Sequence, residues 1–159
     1  MNRVPGLVVA LVMTMWATPA CADLTAFLGS TTTPEARLAR GFALGAGLLV
    51  VGFEFEYSAT DEDLPVAAPA LKSGMGNVLL QTPVELLHMQ PYFTTGAGVY
   101  HERLNARERT AFGGNIGGGV KIGLVGPLRV RLDYRAFNLG SEALTSPAHR
   151  FYAGLNLRF

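Results

Sequence analysis

The chain has 159 residues, with 13 Lys and Arg against 12 Asp and Glu, a formal net charge of +1 and a single cysteine. So even a balance argues against a nucleic-acid binder, and one cysteine excludes a disulfide framework. Nineteen glycines and nine prolines argue against a helical bundle.

Residues 1–22, MNRVPGLVVALVMTMWATPACA, are expected to be a secretory signal peptide. Arg3 forms a short positive n-region. The run from Gly6 to Trp16 is uncharged and mostly apolar, and Ala20-Cys21-Ala22 is a small-residue cleavage site. The segment is too short for a spanning helix. A rival reading makes Cys21 a lipidated cysteine. Lipoprotein leaders usually carry an aliphatic residue three positions earlier, where this chain has Thr18 followed by Pro19. Cleavage after Ala22 leaves residues 23–159 as one domain. It also removes Arg3 and the only cysteine, so the mature net charge is zero and no thiolate chemistry remains.

The rest of the chain alternates with a period of two. The spacing predicts strands at 24–30, 39–49, 51–59, 74–82, 91–102, 110–124, 128–139 and 150–159. The third is the clearest: Val51, Phe53, Phe55 and Tyr57 share one face, and Gly52, Glu54, Glu56 and Ser58 the other. In the seventh, Arg129, Arg131, Asp133 and Arg135 share one face, opposite Leu128, Val130, Leu132 and Tyr134. Connectors 31–38, 60–73, 103–109 and 140–149 are polar, charged or proline-containing, whereas 50, 83–90 and 125–127 are mostly shorter. Short turns at one end and longer loops at the other predict an all-β, eight-stranded antiparallel up-and-down transmembrane barrel.

Alternation alone leaves open a soluble barrel with an apolar inside. Three features favour the membrane form. The chain is read as exported, yet lacks stapling disulfides. The polar faces carry rows of glycine, among them Gly45, Gly47, Gly96, Gly98, Gly113, Gly117 and Gly119, which suit a narrow interior. The same faces carry matching charge. Placing Arg129, Arg131 and Arg135 against lipid would cost about 2–4 kcal/mol each near the midplane, so they are expected in the lumen. The expected lumen charge network is Glu54, Glu56, Lys121, Arg129, Arg131, Asp133, Arg135 and Arg158. Tyr57, Phe112, Tyr134, Phe151 and Phe159 fall near strand ends, where aromatic girdles belong.

The last strand carries a resemblance. Tyr152-Ala-Gly154-Leu-Asn-Leu157-Arg-Phe159 is similar to the terminal signal of Gram-negative outer-membrane barrels, which runs polar, any, Gly, any, any, apolar, any, aromatic. Residues 23–159 resemble small barrels of the kind typified by outer membrane proteins A, X and W. The stretches GFEFEY (52–57), RVRLDYR (129–135) and RFYAGLNLRF (150–159) also look like those of porin-family barrels. The resemblance implies insertion into the cell outer membrane by the barrel assembly machinery, with Tyr152, Gly154, Leu157 and Phe159 as the signal. It also implies contact with outer-membrane lipid and lipopolysaccharide, both termini in the periplasm and a structural or surface-interaction role. The expected state is a monomer. A narrow pore for small solutes is the alternative.

Other constellations are weaker. Outer-membrane lipid A deacylases use His, Ser and an acid, and His101, Glu102, Ser146 and His149 all fall near the expected outer rim. No family motif surrounds them, so no enzyme is expected. Asp61-Glu62-Asp63 lacks the full ligand loop of a calcium site, and His88 with Met89 lacks further ligands. GGNIGGGVK (113–121) lacks the Gly-Lys-Ser/Thr of a phosphate loop. Neither cofactor nor metal is expected.

Overall fold

A computed structural model describes residues 21–140, 143–144 and 146–159. Most of the expected signal peptide therefore lies outside the described residues. Eight antiparallel strands close into a barrel in sequence order, and β1 pairs with β8. They are β1 (Cys21–Thr31), β2 (Arg37–Leu48), β3 (Val51–Thr60), β4 (Ala70–Gln81), β5 (Met89–Leu104), β6 (Arg107–Val125), β7 (Leu128–Asn138) and β8 (Ala148–Arg158). Each contains one predicted strand or nearly all of it. β1 begins at Cys21, two residues ahead of the expected cleavage point.

Closure gives every strand a partner on both sides and leaves no open edge, which is the condition for crossing a bilayer with strands. The alternation is inside out. Phe53 is 63% exposed and Leu155 57%, while Arg131 and Arg135 are fully buried. Phe42, Leu44, Leu80, Phe93, Ile116 and Leu132 continue the exposed apolar band around the wall. A soluble barrel would reverse this arrangement.

One predicted loop is corrected. Residues 103–109 do not form a long connector, because β5 and β6 stay paired up to Leu104 and Arg107. A two-residue turn joins them, with Asn105 in the left-handed region at φ 55°. Opposite charges face each other across the extension, Arg103 opposite Glu108 and Glu102 opposite Arg109, a cross-strand arrangement compatible with continued pairing. The connector at 82–88 is correspondingly longer than that turn, so loop lengths do not alternate strictly. The first, third and seventh connectors, 32–36, 61–69 and 139–147, do cluster at the end away from the termini.

Candidate functional site in the barrel lumen

The interior is built in layers because inward residues of successive strands meet at fixed register. At the end carrying the termini, Lys121 on β6 donates to Asp23 on β1 at 2.6 Å. Arg129 on β7 bonds Glu85 in the 82–88 connector at 2.8 Å and Gln90 on β5 at 2.9 Å. A cavity of about 370 Å³ lies among these groups and extends to the turns at Leu49 and Pro83.

The central layer is a closed charge cluster. Arg131 bonds both carboxylate oxygens of Glu54 and reaches Asp133 at 3.0 Å. Arg135 donates to Asp133 at 3.0 Å, to Glu54 at 2.8 Å and lies 3.1 Å from Glu56. Arg150 pairs with Glu56 and also donates to Ser58. The three guanidiniums and three carboxylates cancel. Tyr92 donates to Asp133 and accepts from Arg131 at 2.7 Å. The Arg131 guanidinium also lies over the Tyr92 ring, 4.8 Å from its centroid. An unpaired charge at such a depth is strongly unfavourable, so the reciprocal pairing is what permits the layer.

Gly119 makes room for it. A Cβ at that position would lie 2.5 Å from the Tyr92 hydroxyl, which Asp133 and Arg131 both use. The same Cβ would lie 2.2 Å from the Leu132 carbonyl oxygen, so the glycine also lets β7 approach closely.

Towards the loop end the lumen turns apolar. Met75, Tyr100, Phe137, Leu139 and Ala148 form a buried cluster. Tyr100 donates to the carbonyl of Leu139 at 2.6 Å, tying β5 to the start of the 139–147 loop. Arg150 lies over the Phe137 ring at 4.6 Å and so joins the charged layer to this cap.

The eight charges anticipated as one network divide into three groups. Glu54, Glu56, Arg131, Asp133 and Arg135 come together. Lys121 instead pairs with Asp23, and Arg129 with Glu85. Arg158 does not reach the interior network: its side chain is 43% exposed at the mouth, 3.8 Å from Glu85. As the last residue of β8 it stands at the rim of the barrel mouth. Sequence reasoning missed Arg150 and Tyr92. Both fall on the inward phase of their strands, the same phase as Asn156 and Gln90, which was the available clue.

The catalytic set weighed above is dispersed. His101 bonds Thr110, His149 bonds the Tyr134 hydroxyl, and Ser146 accepts from the Leu139 amide. Glu102 is buried and accepts from the Leu144 amide. The acids at 61–63 are likewise engaged: Asp61 with Arg40, Glu62 with Arg103, and Asp63 in backbone pairing with Ala68. His88 occupies a turn at φ 63°, and its carbonyl accepts from the Gly123 amide.

The closed eight-stranded topology, with charges inside and an apolar wall outside, decides the fold. The chain has the fold of the eight-stranded outer-membrane barrels. It is similar to the N-terminal β-barrel domain of OprF from Pseudomonas aeruginosa, with a TM-score of 0.69 and 15% identity over 89% of this chain and 100% of that one. It is similar to the outer membrane enzyme PagL, with a TM-score of 0.55 and 15% identity over 85% and 98% of the two chains. It is also similar to the outer membrane protein Ail of Yersinia pestis, with a TM-score of 0.58 and 13% identity over 89% and 100%. No family model matches the sequence, and no curated protein matches it. Within this outer-membrane barrel fold, enzymatic and other roles both occur, so function rests on the site.

Proposed function

We propose that the protein is a closed outer-membrane barrel with a structural or surface-contact role, rather than a pore or an enzyme. The observation that carries this reading is the filling of the lumen. The central ion cluster is almost wholly buried, and an apolar cap covers it on the loop side. An eight-stranded barrel has just enough interior for side chains, and here they occupy it in two successive layers. The cavity of about 370 Å³ lies at the other end, beside Lys121 and Arg129.

In this orientation the termini and the vestibule face the periplasm, and the loops at 32–36, 61–69 and 139–147 face outward beside the β5–β6 hairpin. These are the surfaces available for contact. Ail, described as the attachment invasion locus protein, shares the fold. Placement in the outer membrane, as a monomer delivered by the barrel assembly machinery, completes the proposal. The dispersal of His101, Ser146 and His149 among separate partners disfavours catalysis.

The test is electrical. In planar bilayers the folded protein is expected to give no steady conductance above leak. Discrete channels that vanish on replacing Glu54 or Arg131 would establish the pore instead. Unchanged lipid A mass spectra in strains with and without the protein are the matching expectation for the enzyme question.

A further inference from the structure

The outward wall carries a groove that the lumen does not explain. Leu28, Arg40, Ala59 and Lys72 are successive cross-strand partners on β1 to β4. Arg40 and Lys72 are exposed, and Ala59 leaves a low floor between them. Their backbones stand two strands apart, roughly 10 Å, so both long side chains can converge over that floor. One pleat step towards the termini, the rings of Phe42 and Tyr57 lie 5.7 Å apart. Phe42, Tyr57 and Leu155 wall a continuous groove, with Arg40, Lys72 and Asp61 at its loop-side rim.

The height of the rim is informative. Arg40 lies eight residues above the end of β2 at Leu48, and Lys72 nine above the end of β4 at Gln81. At about 3.3 Å per residue and a tilt near 40°, that is roughly 20 Å, close to the upper edge of an apolar band about 25 Å tall. Two cations therefore stand at headgroup level directly over an aromatic-walled apolar slot.

We propose that this groove binds a phosphate-bearing membrane lipid. The phosphate sits between Arg40 and Lys72, and an acyl chain runs down against Phe42, Tyr57 and Leu155. Charge complementarity at the rim selects an anion, and the slot below selects a lipid over a free ion. Asp61 is the competitor: it lies 3.3 Å from Arg40, but the two side chains are 57% and 75% exposed. So exposed a pair is weak, and a phosphate can displace the carboxylate.

The inference rests on the membrane reading of the barrel. The test uses the folded protein in a neutral maltoside detergent, with bound lipid counted by native mass spectrometry. Phosphatidic acid is titrated against phosphatidylcholine. The expected preference for phosphatidic acid is roughly ten- to thirtyfold, the size two headgroup-level cations supply. Joint replacement Arg40→Gln with Lys72→Gln removes that preference, Asp61→Asn strengthens it, and equimolar inorganic phosphate does not displace the lipid. Equal binding of the two lipids, a preference kept in the double variant, no gain in Asp61→Asn, or displacement by inorganic phosphate would each overturn the site. Failure of the membrane reading would register separately, as a parent protein with no gel-mobility difference between unboiled and boiled samples.

Discussion

Arg131 of β7 reaches across the lumen to Glu54 of β3 and holds it through both carboxylate oxygens, while bonding Asp133 on its own strand. One guanidinium thus neutralises acids from opposite walls. Arg131→Met would leave two buried carboxylates short of a partner. It is expected to lower unfolding stability by about 3–5 kcal/mol, the usual consequence of breaking a buried pair. Urea unfolding in detergent or vesicles, read by gel mobility, measures it. Adding Glu54→Gln to Arg131→Met should recover part of the loss. Strictly additive losses would show that the two side chains do not act as a pair.

Gly119 and Tyr92 test the packing side of the same layer. A Cβ at Gly119 would lie 2.2 Å from the Leu132 carbonyl oxygen and 2.5 Å from the Tyr92 hydroxyl. Gly119→Val is expected to destabilise the barrel by about 1–3 kcal/mol, the range for overpacking a filled interior. Coupling to Tyr92→Phe distinguishes a local clash from a general strand defect. The valine should lose only part of its penalty when the hydroxyl is gone, because the Leu132 carbonyl contact remains. An equal penalty in both backgrounds would assign the whole cost to that carbonyl.

The facing of the strands was legible because alternation is a local property. Val51 to Ser58 and Leu128 to Arg135 each reveal, in eight residues, which side chains share the lumen. Partner choice was not legible, because it depends on register around the whole barrel. Glu56 finds Arg150, 94 positions away in the chain, and Lys121 finds Asp23, 98 away. No local pattern encodes those distances. The hairpin at Leu104 and Arg107 failed for a different reason: a run of charges reads as a solvated loop until its cross-strand partners are known.

Leu132 separates a membrane wall from a merely exposed one. It is 44% exposed on β7, four residues above that strand's lower end at Leu128. Leu132→Arg is expected to cost about 2–4 kcal/mol of stability in vesicles, as a cation placed deep in the apolar band. On a water-facing surface the same change would fall within about 0.5 kcal/mol of neutral. Stability of this variant in phospholipid vesicles against denaturant therefore reads the environment of the outer face directly.

Phe159 closes the barrel seam, and that gives the last prediction. Its amide and carbonyl each bond Ala22 at 2.9 Å, extending the β1–β8 ladder past the Asp23–Arg158 pair. Its side chain stays 69% exposed on the outward face, in phase with Leu155 and Leu157. A buried-core role therefore does not account for an aromatic there. An aromatic anchor at the membrane interface does, as does recognition by the assembly machinery. Deleting Phe159, or replacing it by Asp, is expected to reduce the folded, heat-modifiable fraction in cells, whereas Phe159→Tyr retains it. The purified variants, refolded into detergent without any assembly factor, separate the two causes. A defect confined to cells assigns Phe159 to recognition. A defect that persists in detergent assigns it to closing the seam, and normal assembly of both the deletion and the Asp variant would remove the terminal signal from the argument.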